Sequence, residues 1–186
     1  TKAARFRYSA VMEAIDFDAS RHLDKNQIQR FASCEFIKQK QNILITGSTG
    51  AGKSYMASAI GHQACSLGYK VMYYNTNKLF TMLKTSKADG SYLKQINKLE
   101  KQDLLIIDDF GLKALDAINR HSFMEIIEDR HGEHSIIIAS QLPVEAWHEI
   151  IGEQTIADAI LDRLVHNAHR IDIKGESMRK KMKNKD

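Results

Sequence analysis

One glycine-rich segment carries the most specific chemical pattern in this sequence. It fits the phosphate-loop pattern G-x-x-x-x-G-K-[ST] at every fixed position. Glycines let the backbone N–H groups point inward, where bulky side chains would block a bound phosphate. The residues of the pattern are Gly47, Ser48, Thr49, Gly50, Ala51, Gly52, Lys53 and Ser54. The segment therefore predicts a site for a nucleoside triphosphate.

The elements on either side of this loop agree with it. Residues 42–46 form a short apolar run typical of a strand, and residues 52–67 have the pattern of a helix. A phosphate loop joins a strand to a helix, so the positive end of the helix also faces the phosphates. We expect Lys53 to reach the β- and γ-phosphates of ATP, Ser54 to ligate Mg²⁺, and Tyr55 to complete the cofactor-binding segment.

A second constellation is a pair of aspartates that follows four apolar residues. Residues 104–107 are typical of a strand buried in a parallel sheet, and Asp108 and Asp109 follow directly. Such a strand delivers its carboxyl end to the ligand crevice. We expect Asp108 to hold Mg²⁺, directly or through a water, and Asp109 to orient or deprotonate the attacking water. The alternative is an ordinary strand followed by a turn.

Three polar residues later in the chain are candidates for sensing or completing the site. Ser140 and Gln141 end the apolar run 136–139, and they would lie near the γ-phosphate if that strand neighbours the phosphate-loop strand. The alternative is a simple turn before Pro143. Arg163 lies near the end of an amphipathic helix, where it is either a surface arginine or a finger that acts in a neighbouring subunit's site.

Strands and helices alternate after residue 41, which predicts an α/β fold with a parallel sheet covered by helices on both faces. The predicted strands are 42–46, 69–74, 104–108, 135–140 and 168–173, and the predicted helices are 52–67, 77–84, 91–101, 117–131, 144–151 and 156–165. Before them we expect a helix that begins within residues 23–27 and runs to about Lys40. Residues 86–91 are polar enough to predict a mobile loop.

Composition limits the class of protein. The chain has 186 residues, 43% of them hydrophobic, and a net charge of +4, which suits one domain. Cys34 and Cys65 lack CxxC spacing, so we expect buried free thiols in a reducing cytosol. Because the sequence shows neither a membrane span nor a signal peptide, we expect a cytoplasmic protein without a membrane partner. A start at Thr1 is compatible with a fragment of a longer protein.

Positive charge is concentrated in two segments. The first contains Lys78, Lys84, Lys87, Lys94, Lys98 and Lys101, and the second contains Lys174, Arg179, Lys180, Lys181, Lys183 and Lys185. Contacts from Lys and Arg to phosphates release counterions whatever the base sequence, so these segments indicate a polyanionic partner. The alternative is a solvated helix face and a frayed tail. Tyr92 is the one obvious residue in them that could stack on a base.

These motifs together resemble the AAA+ ATPases of the helicase-loader branch, and within that branch the IstB-like group, the ATP-binding helpers of insertion-sequence transposases. The resemblance rests on the phosphate loop, the Asp108-Asp109 strand end, residues 140–143 and residues 162–164, and it extends to the lead-in and to residues 171–179. It implies a P-loop NTPase of the AAA+ type. Residues 1–40 would be a helical lead-in packed on the core, residues 41–173 the AAA+ ATPase core, and residues 174–186 a basic tail.

The resemblance also implies what the protein does. It points to an ATPase that assembles on DNA, through contacts mainly to the backbone of a duplex, and that remodels the DNA and recruits or regulates a transposase. In such families ATP lies between the subunits of a homo-oligomer, so Arg163 would complete a neighbour's site, and hydrolysis would need assembly and DNA. Two alternatives remain: a replicative helicase loader, or a nucleotide-gated DNA-binding scaffold with little hydrolysis.

Two departures from the AAA+ pattern accompany the resemblance. Most AAA+ proteins have glutamate where this chain has Asp109, whose shorter side chain would hold the catalytic water less firmly. Most also have a helical lid after the last strand, which we expect to be missing here, with Arg179 as a candidate for the lid's sensor arginine. Full-length relatives also have an N-terminal helical domain that recognises the transposase, and we expect this chain to lack it.

Overall fold

A five-stranded parallel sheet forms the centre of the structure, a computed structural model that describes residues 2–175. In chain order the strands are β1 (Asn42–Gly47), β2 (Val71–Asn75), β3 (Leu104–Phe110), β4 (Ser135–Ser140) and β5 (Ala168–Ile173). They lie side by side in the order β2-β3-β4-β1-β5, and every neighbouring pair is parallel. All carboxyl ends therefore meet at one edge, and β4 lies directly beside β1.

Helices connect the strands, as parallel pairing requires. The α-helices of residues 2–175 are α1 (Lys25–Phe31), α2 (Glu35–Lys38), α3 (Lys53–Ser66), α4 (Thr76–Asp89), α5 (Tyr92–Glu100), α6 (Ala117–Arg130), α7 (Trp147–Ile151) and α8 (Gln154–Val165). In the described part of the chain, none of these helices is long and apolar enough to cross a membrane.

The sheet is buried on both faces, as the continuous apolar strands predicted. Successive side chains of a strand point to opposite faces. Ile43 and Ile45 of β1 belong to one buried cluster with α3 and the residues before β1, whereas Leu44 belongs to a second cluster with helices α4 to α8. The predicted α/β architecture is therefore confirmed.

The lead-in differs from the single helix that we predicted for residues 23–40. Asp24 caps α1, but the helix ends at Phe31, and a second short helix begins at Glu35 after Cys34 in a left-handed conformation (φ 54°). Ile28 and Ile37 are both buried, yet nine residues of one straight helix would place them about 180° apart. The break turns both side chains toward the same core. Three short 3-10 turns precede α1.

The polar segment 86–91 is not a loop, so that prediction is wrong. Helix α4 continues through it to Asp89, and Ser86 is buried with its hydroxyl donating to the carbonyl of Leu83 at 2.7 Å. Only Gly90, at φ 79°, turns the chain before α5 begins at Tyr92. Packing of one face of α4 on the sheet outweighs the low apolar content of its last turn.

Strand β3 extends beyond the predicted end at Asp108. It continues to Phe110, which is fully buried with its ring 5.1 Å from that of Trp147. The pairing of β3 with β4 shifts register between Ile107 and Phe110. This irregularity falls on the two aspartates, so it decides where their carboxylates point.

The segment before the core in the sequence contacts the chain just after β5. The backbone N–H of Lys174 donates to the carbonyl of Arg21 at 3.1 Å, and the side chain of Lys174 pairs with Asp172 at 2.6 Å. No lid follows β5 within residues 2–175. Arg179 and the other basic residues of 176–186 lie outside the described residues.

Candidate nucleotide site

The phosphate loop leaves β1 at the carboxyl edge of the sheet and ends where α3 begins. Gly47 must be glycine, because a Cβ there would lie 2.5 Å from the carbonyl oxygen of Ile173. Gly52 has φ +95°, and it is the last residue before the helix begins at Lys53. The positive end of a helix of 14 residues therefore faces the loop, as an anion site requires.

Lys53 is held inside the loop. Its side chain is largely buried, and its Nζ donates to the carbonyl oxygen of Ser48 at 2.8 Å. Burial lowers the pKa of Lys53, while the nearby carboxylates of Asp108 and Asp109 raise it. A phosphate that replaced the Ser48 carbonyl would give the buried ammonium a stronger, charged partner.

A cavity of about 680 Å³ opens beside the loop. Its volume lies within the range typical of ligand sites. Six of the predicted nucleotide-binding residues line it: Thr49, Gly50, Gly52, Lys53, Ser54 and Tyr55. Asp109 and Gln141 line it as well. Gly47, Ser48 and Ala51 do not line it.

Asp108 lies below the cavity, not in its wall. The residue is 1% exposed, and its carboxylate accepts hydrogen bonds from the hydroxyl of Tyr73 and from the backbone N–H of Asp109. Burial, and then the hydrogen bond to Asp108, raise the pKa of Tyr73 far above its usual range, so this hydroxyl stays protonated and donates.

Ser54 and Asp108 fit the requirements of Mg²⁺. This ion is typically held by one or two protein groups together with phosphate oxygens and waters. The described residues contain no cluster of three or more His, Cys, Asp or Glu side chains that could hold a metal alone, so the nucleotide would supply the other ligands. Ser54 would offer its hydroxyl to the ion, and the buried, doubly hydrogen-bonded Asp108 would hold it through a water. Bound Mg²⁺ would neutralise charge on the phosphates.

Asp109 faces the cavity, and two donors hold one of its oxygens. Oδ2 accepts from Nδ2 of Asn75 at 2.9 Å and from Nη1 of Arg7 at 3.1 Å. Its backbone is left-handed (φ 57°), a conformation that is uncommon outside glycine but that aspartate adopts more readily than most residues. None of the hydrogen bonds among the described residues uses Oδ1, which leaves that oxygen free to accept from a water.

Ser140, the last residue of β4, and Gln141, the first residue after it, lie in different surroundings. Gln141 lines the cavity, and its Oε1 accepts from the hydroxyl of Thr49 in the loop at 2.7 Å. Ser140 is fully buried, and its hydroxyl donates to the carbonyl of Phe110 at 2.6 Å. The structure therefore places Gln141 beside the phosphate loop in the wall of the cavity, whereas the Ser140 hydroxyl links β4 to β3 and does not reach the cavity.

Arg163 does not lie at the cavity of its own chain. Its Nη1 donates to the carbonyl of Ala159 at 2.9 Å, and its Nη2 pairs with Glu128 at 3.4 Å. It lines a different cavity, at the end of α8, together with Lys40 and His134. This placement agrees with either prediction made for Arg163, a surface arginine or a finger for a second copy.

Sequence reasoning missed four residues that shape the site: Arg7, Arg21, Tyr73 and Asn75. Asn75 ends a parallel strand, so the rule that found Asp108 could also have found it. The two arginines gave no signal, because the lead-in has no motif that relates it to the loop. Arg21 is nearly buried, and its Nη2 donates to the carbonyl of Ala51 at 2.7 Å, which fixes the back of the loop.

The first basic segment forms the outer surface of α4 and α5. All six of its lysines are exposed. Lys84 pairs with Asp116 at 2.9 Å, and Lys87 lies over the ring of Tyr92 at 4.6 Å. The Tyr92 hydroxyl donates to Glu125 at 2.6 Å, so this ring is not a free stacking surface. The remaining four lysines have no ion pair within residues 2–175: Lys78, Lys94, Lys98 and Lys101.

Comparison with known sequences gives a consistent picture. The family model for IstB-like ATP binding protein matches residues 1–186. A protein of Sinorhizobium fredii, named as an insertion sequence ATP-binding protein, is 47% identical over 182 residues, which cover 98% of this chain and 74% of that protein. The ATP-binding protein named for insertion sequence IS21 of Pseudomonas aeruginosa is 30% identical over 184 residues, which cover 99% of this chain and 69% of that protein.

Solved structures show the same fold. The crystal structure of DnaI has a TM-score of 0.76 at 22% identity and covers 89% of this chain and 92% of its own. The DnaC helicase loader has a TM-score of 0.71 at 18% identity and covers 90% of this chain and 98% of its own. At such identities the likeness concerns the fold alone, which is the P-loop fold of AAA+ proteins.

Proposed function

The chain belongs to the family of IstB-like ATP-binding proteins, and from that premise we propose that it is an ATP-dependent, DNA-binding AAA+ ATPase that assists transposition. In this proposal, copies of the chain assemble on target DNA with ATP and Mg²⁺ between them. The assembly remodels the DNA and recruits or regulates a transposase. The resemblance to helicase loaders concerns the fold, so it gives no separate support to a role in loading a helicase.

One observation carries the proposal of hydrolysis: a single cavity joins the phosphate loop, Lys53 and Asp109. A carboxylate with a free oxygen at the phosphate end can orient a water, and the loop and lysine can stabilise charge on the transferred phosphoryl group. Gln141, which follows β4, also accepts a hydrogen bond from Thr49, so the phosphate loop is connected to the strand beside β1.

The first prediction concerns the replacement of Asp109 by asparagine. The amide keeps the size of the side chain but cannot accept a proton, so we expect turnover to fall by about a hundred-fold while ATP affinity stays within about two-fold. Phosphate release and fluorescent-nucleotide binding measure the two quantities. The matched control is Asp116→Asn, because Asp116 is an exposed aspartate that does not line the cavity.

The outcome separates an ATPase from a nucleotide-gated scaffold. If neither the wild type nor Asp109→Asn releases phosphate under assembled conditions, Asp109 does not support hydrolysis and the scaffold becomes the better description. If both proteins turn over equally fast, another group orients the water.

A second prediction tests the basic surface of α4 and α5. We expect the replacement of Lys78, Lys94 and Lys98 by glutamine to reduce the slope of log affinity for duplex DNA against log salt by about one unit for each lost phosphate contact. These lysines are exposed and have no ion pair within residues 2–175. Fluorescence anisotropy at several salt concentrations measures the slope.

The control for this experiment must remove the same charge from another place. Lys25, Lys38 and Lys70 are also exposed, but they lie outside α4 and α5. Their triple replacement should leave the slope close to that of the wild type. Equal slopes for both triple variants would show that α4 and α5 do not contact DNA.

The whole proposal is tested by steady-state ATP hydrolysis over a range of protein concentrations, with and without duplex DNA at low salt. Specific turnover that rises with concentration, and again with DNA, supports a site shared between subunits that DNA organises. Flat, negligible turnover in a protein that binds ATP would contradict the proposal.

A further inference from the structure

The lead-in brings one side chain into the candidate site from far away in the sequence. Arg7 lies 102 residues before Asp109, yet its Nη1 is 3.1 Å from Oδ2 of that residue. The same nitrogen is 3.9 Å from Oδ2 of Asp108. Arg7 also lines the cavity beside Lys53. One guanidinium therefore lies against both carboxylates at the phosphate end.

The residues on either side of Arg7 hold it there. The ring of Phe6 lies 4.1 Å from that of His62 on α3. Gly61 makes room for it, since a Cβ at that position would come within 2.4 Å of the Phe6 ring. On the other side, the backbone carbonyl of Tyr8 lies 2.9 Å from Nε2 of His62. The lead-in is therefore docked on α3 immediately before and immediately after Arg7.

Arg7 and Asn75 contact the same oxygen of Asp109 from different elements. Asn75 ends β2, whereas Arg7 comes from the docked lead-in. With Oδ2 held by two donors, rotation of the carboxylate is restricted and Oδ1 is presented in a fixed direction. Asp109 has a left-handed backbone, which aspartate tolerates better than most residues other than glycine, and these contacts hold its side chain in that arrangement.

We propose that Arg7 is a positioning residue for ATP hydrolysis, which orients Asp109 so that its free oxygen faces the attacking water. The inference rests on the proposed function, since it assumes that Asp109 acts on that water. It adds that a docked lead-in is part of the hydrolytic site. Undocking of the lead-in would remove Arg7 from Asp109 and slow turnover.

A purely structural role for Arg7 would give different effects on mutation. Arg7 is 44% exposed, so its loss costs little burial, and a brace would affect thermal stability and ATP affinity before turnover. A positioning residue that acts through Asp109 lowers kcat at nearly constant ATP affinity, and it has no further effect once Asp109 has lost its function.

The experiment measures kcat and ATP affinity for Arg7→Ala, Arg7→Lys, Asp109→Asn and the double variant Arg7→Ala/Asp109→Asn. All are compared under the conditions of DNA and protein concentration that give the fastest wild-type turnover. We expect Arg7→Ala to lower kcat by about ten- to thirty-fold with ATP affinity within about two-fold, and Arg7→Lys to recover part of that loss. The double variant should be no slower than Asp109→Asn alone.

Arg5→Ala is the matched control, because it removes an exposed arginine from the same lead-in with no contact to either carboxylate. It should keep wild-type turnover. Wild-type kcat in Arg7→Ala, or an additive loss in the double variant, would overturn the inference while leaving the proposed function intact. A wild type that does not hydrolyse ATP would instead overturn the proposed function, and the role of Arg7 with it.

Discussion

Replacement of Lys53 by alanine is expected to lower ATP affinity by about a hundred-fold, and turnover of the remaining complex by a further hundred-fold or more. Lys53 is the largely buried cation of the phosphate loop, and among residues 2–175 its Nζ donates a hydrogen bond only to the Ser48 carbonyl. A phosphate in this site would lose both a charge-assisted hydrogen bond and the charge that balances the transition state.

Two measurements check this expectation. Fluorescent-nucleotide titration gives the affinity, and the rise in unfolding temperature with added ATP gives it independently, since a ligand that binds only the folded state stabilises it. Lys25→Ala is the matched control, because Lys25 also stands at the first position of a helix but is exposed and away from the cavity. ATP affinity within two-fold of the wild type in Lys53→Ala would mean that this lysine does not face the phosphates.

The parts of the fold that the sequence predicts best are those set by local periodicity and by strand order. The continuous apolar runs of β3 and β4 are buried on both faces, and the loop and Asp109 meet because parallel strands end at one edge. The apolar runs and the motifs at the strand ends can each be read from a short stretch of sequence. Gln141 could be placed near the loop for the same reason, once β4 is the neighbour of β1.

The remaining features depend on contacts between segments that are distant in the sequence. Arg7 reaches Asp109 because Phe6 and Tyr8 pack on α3. No pattern in the sequence of the lead-in predicts that packing. Ser140 ends the strand that Gln141 follows, but the register shift in β3 brings the Phe110 carbonyl to the Ser140 hydroxyl, which stays buried. Local patterns therefore predicted most of the elements, whereas long-range packing set several of their ends and decided which polar side chains face the cavity.

Arg163→Ala is expected to keep ATP affinity and to lose about a thousand-fold or more of the assembly-dependent turnover, the size of effect seen for arginine fingers. In its own chain Arg163 contacts the Ala159 carbonyl and Glu128 and does not line the nucleotide cavity. It would therefore act only across an interface between copies. Glu128→Gln is the control, because it removes the ion pair and leaves the arginine. Equal losses in both variants would indicate a structural role for the pair.

A mixing experiment tests the shared site directly. Lys53→Ala lacks a competent phosphate loop and Arg163→Ala lacks the finger, so each protein alone should be nearly inactive. In an equal mixture, about a quarter of the interfaces would join an intact loop to an intact arginine if the copies assemble head to tail at random. We expect that fraction of the wild-type turnover to return, and to vanish on dilution below the concentration at which the protein assembles. A mixture as inactive as its components would show that Arg163 does not complete a neighbour's site.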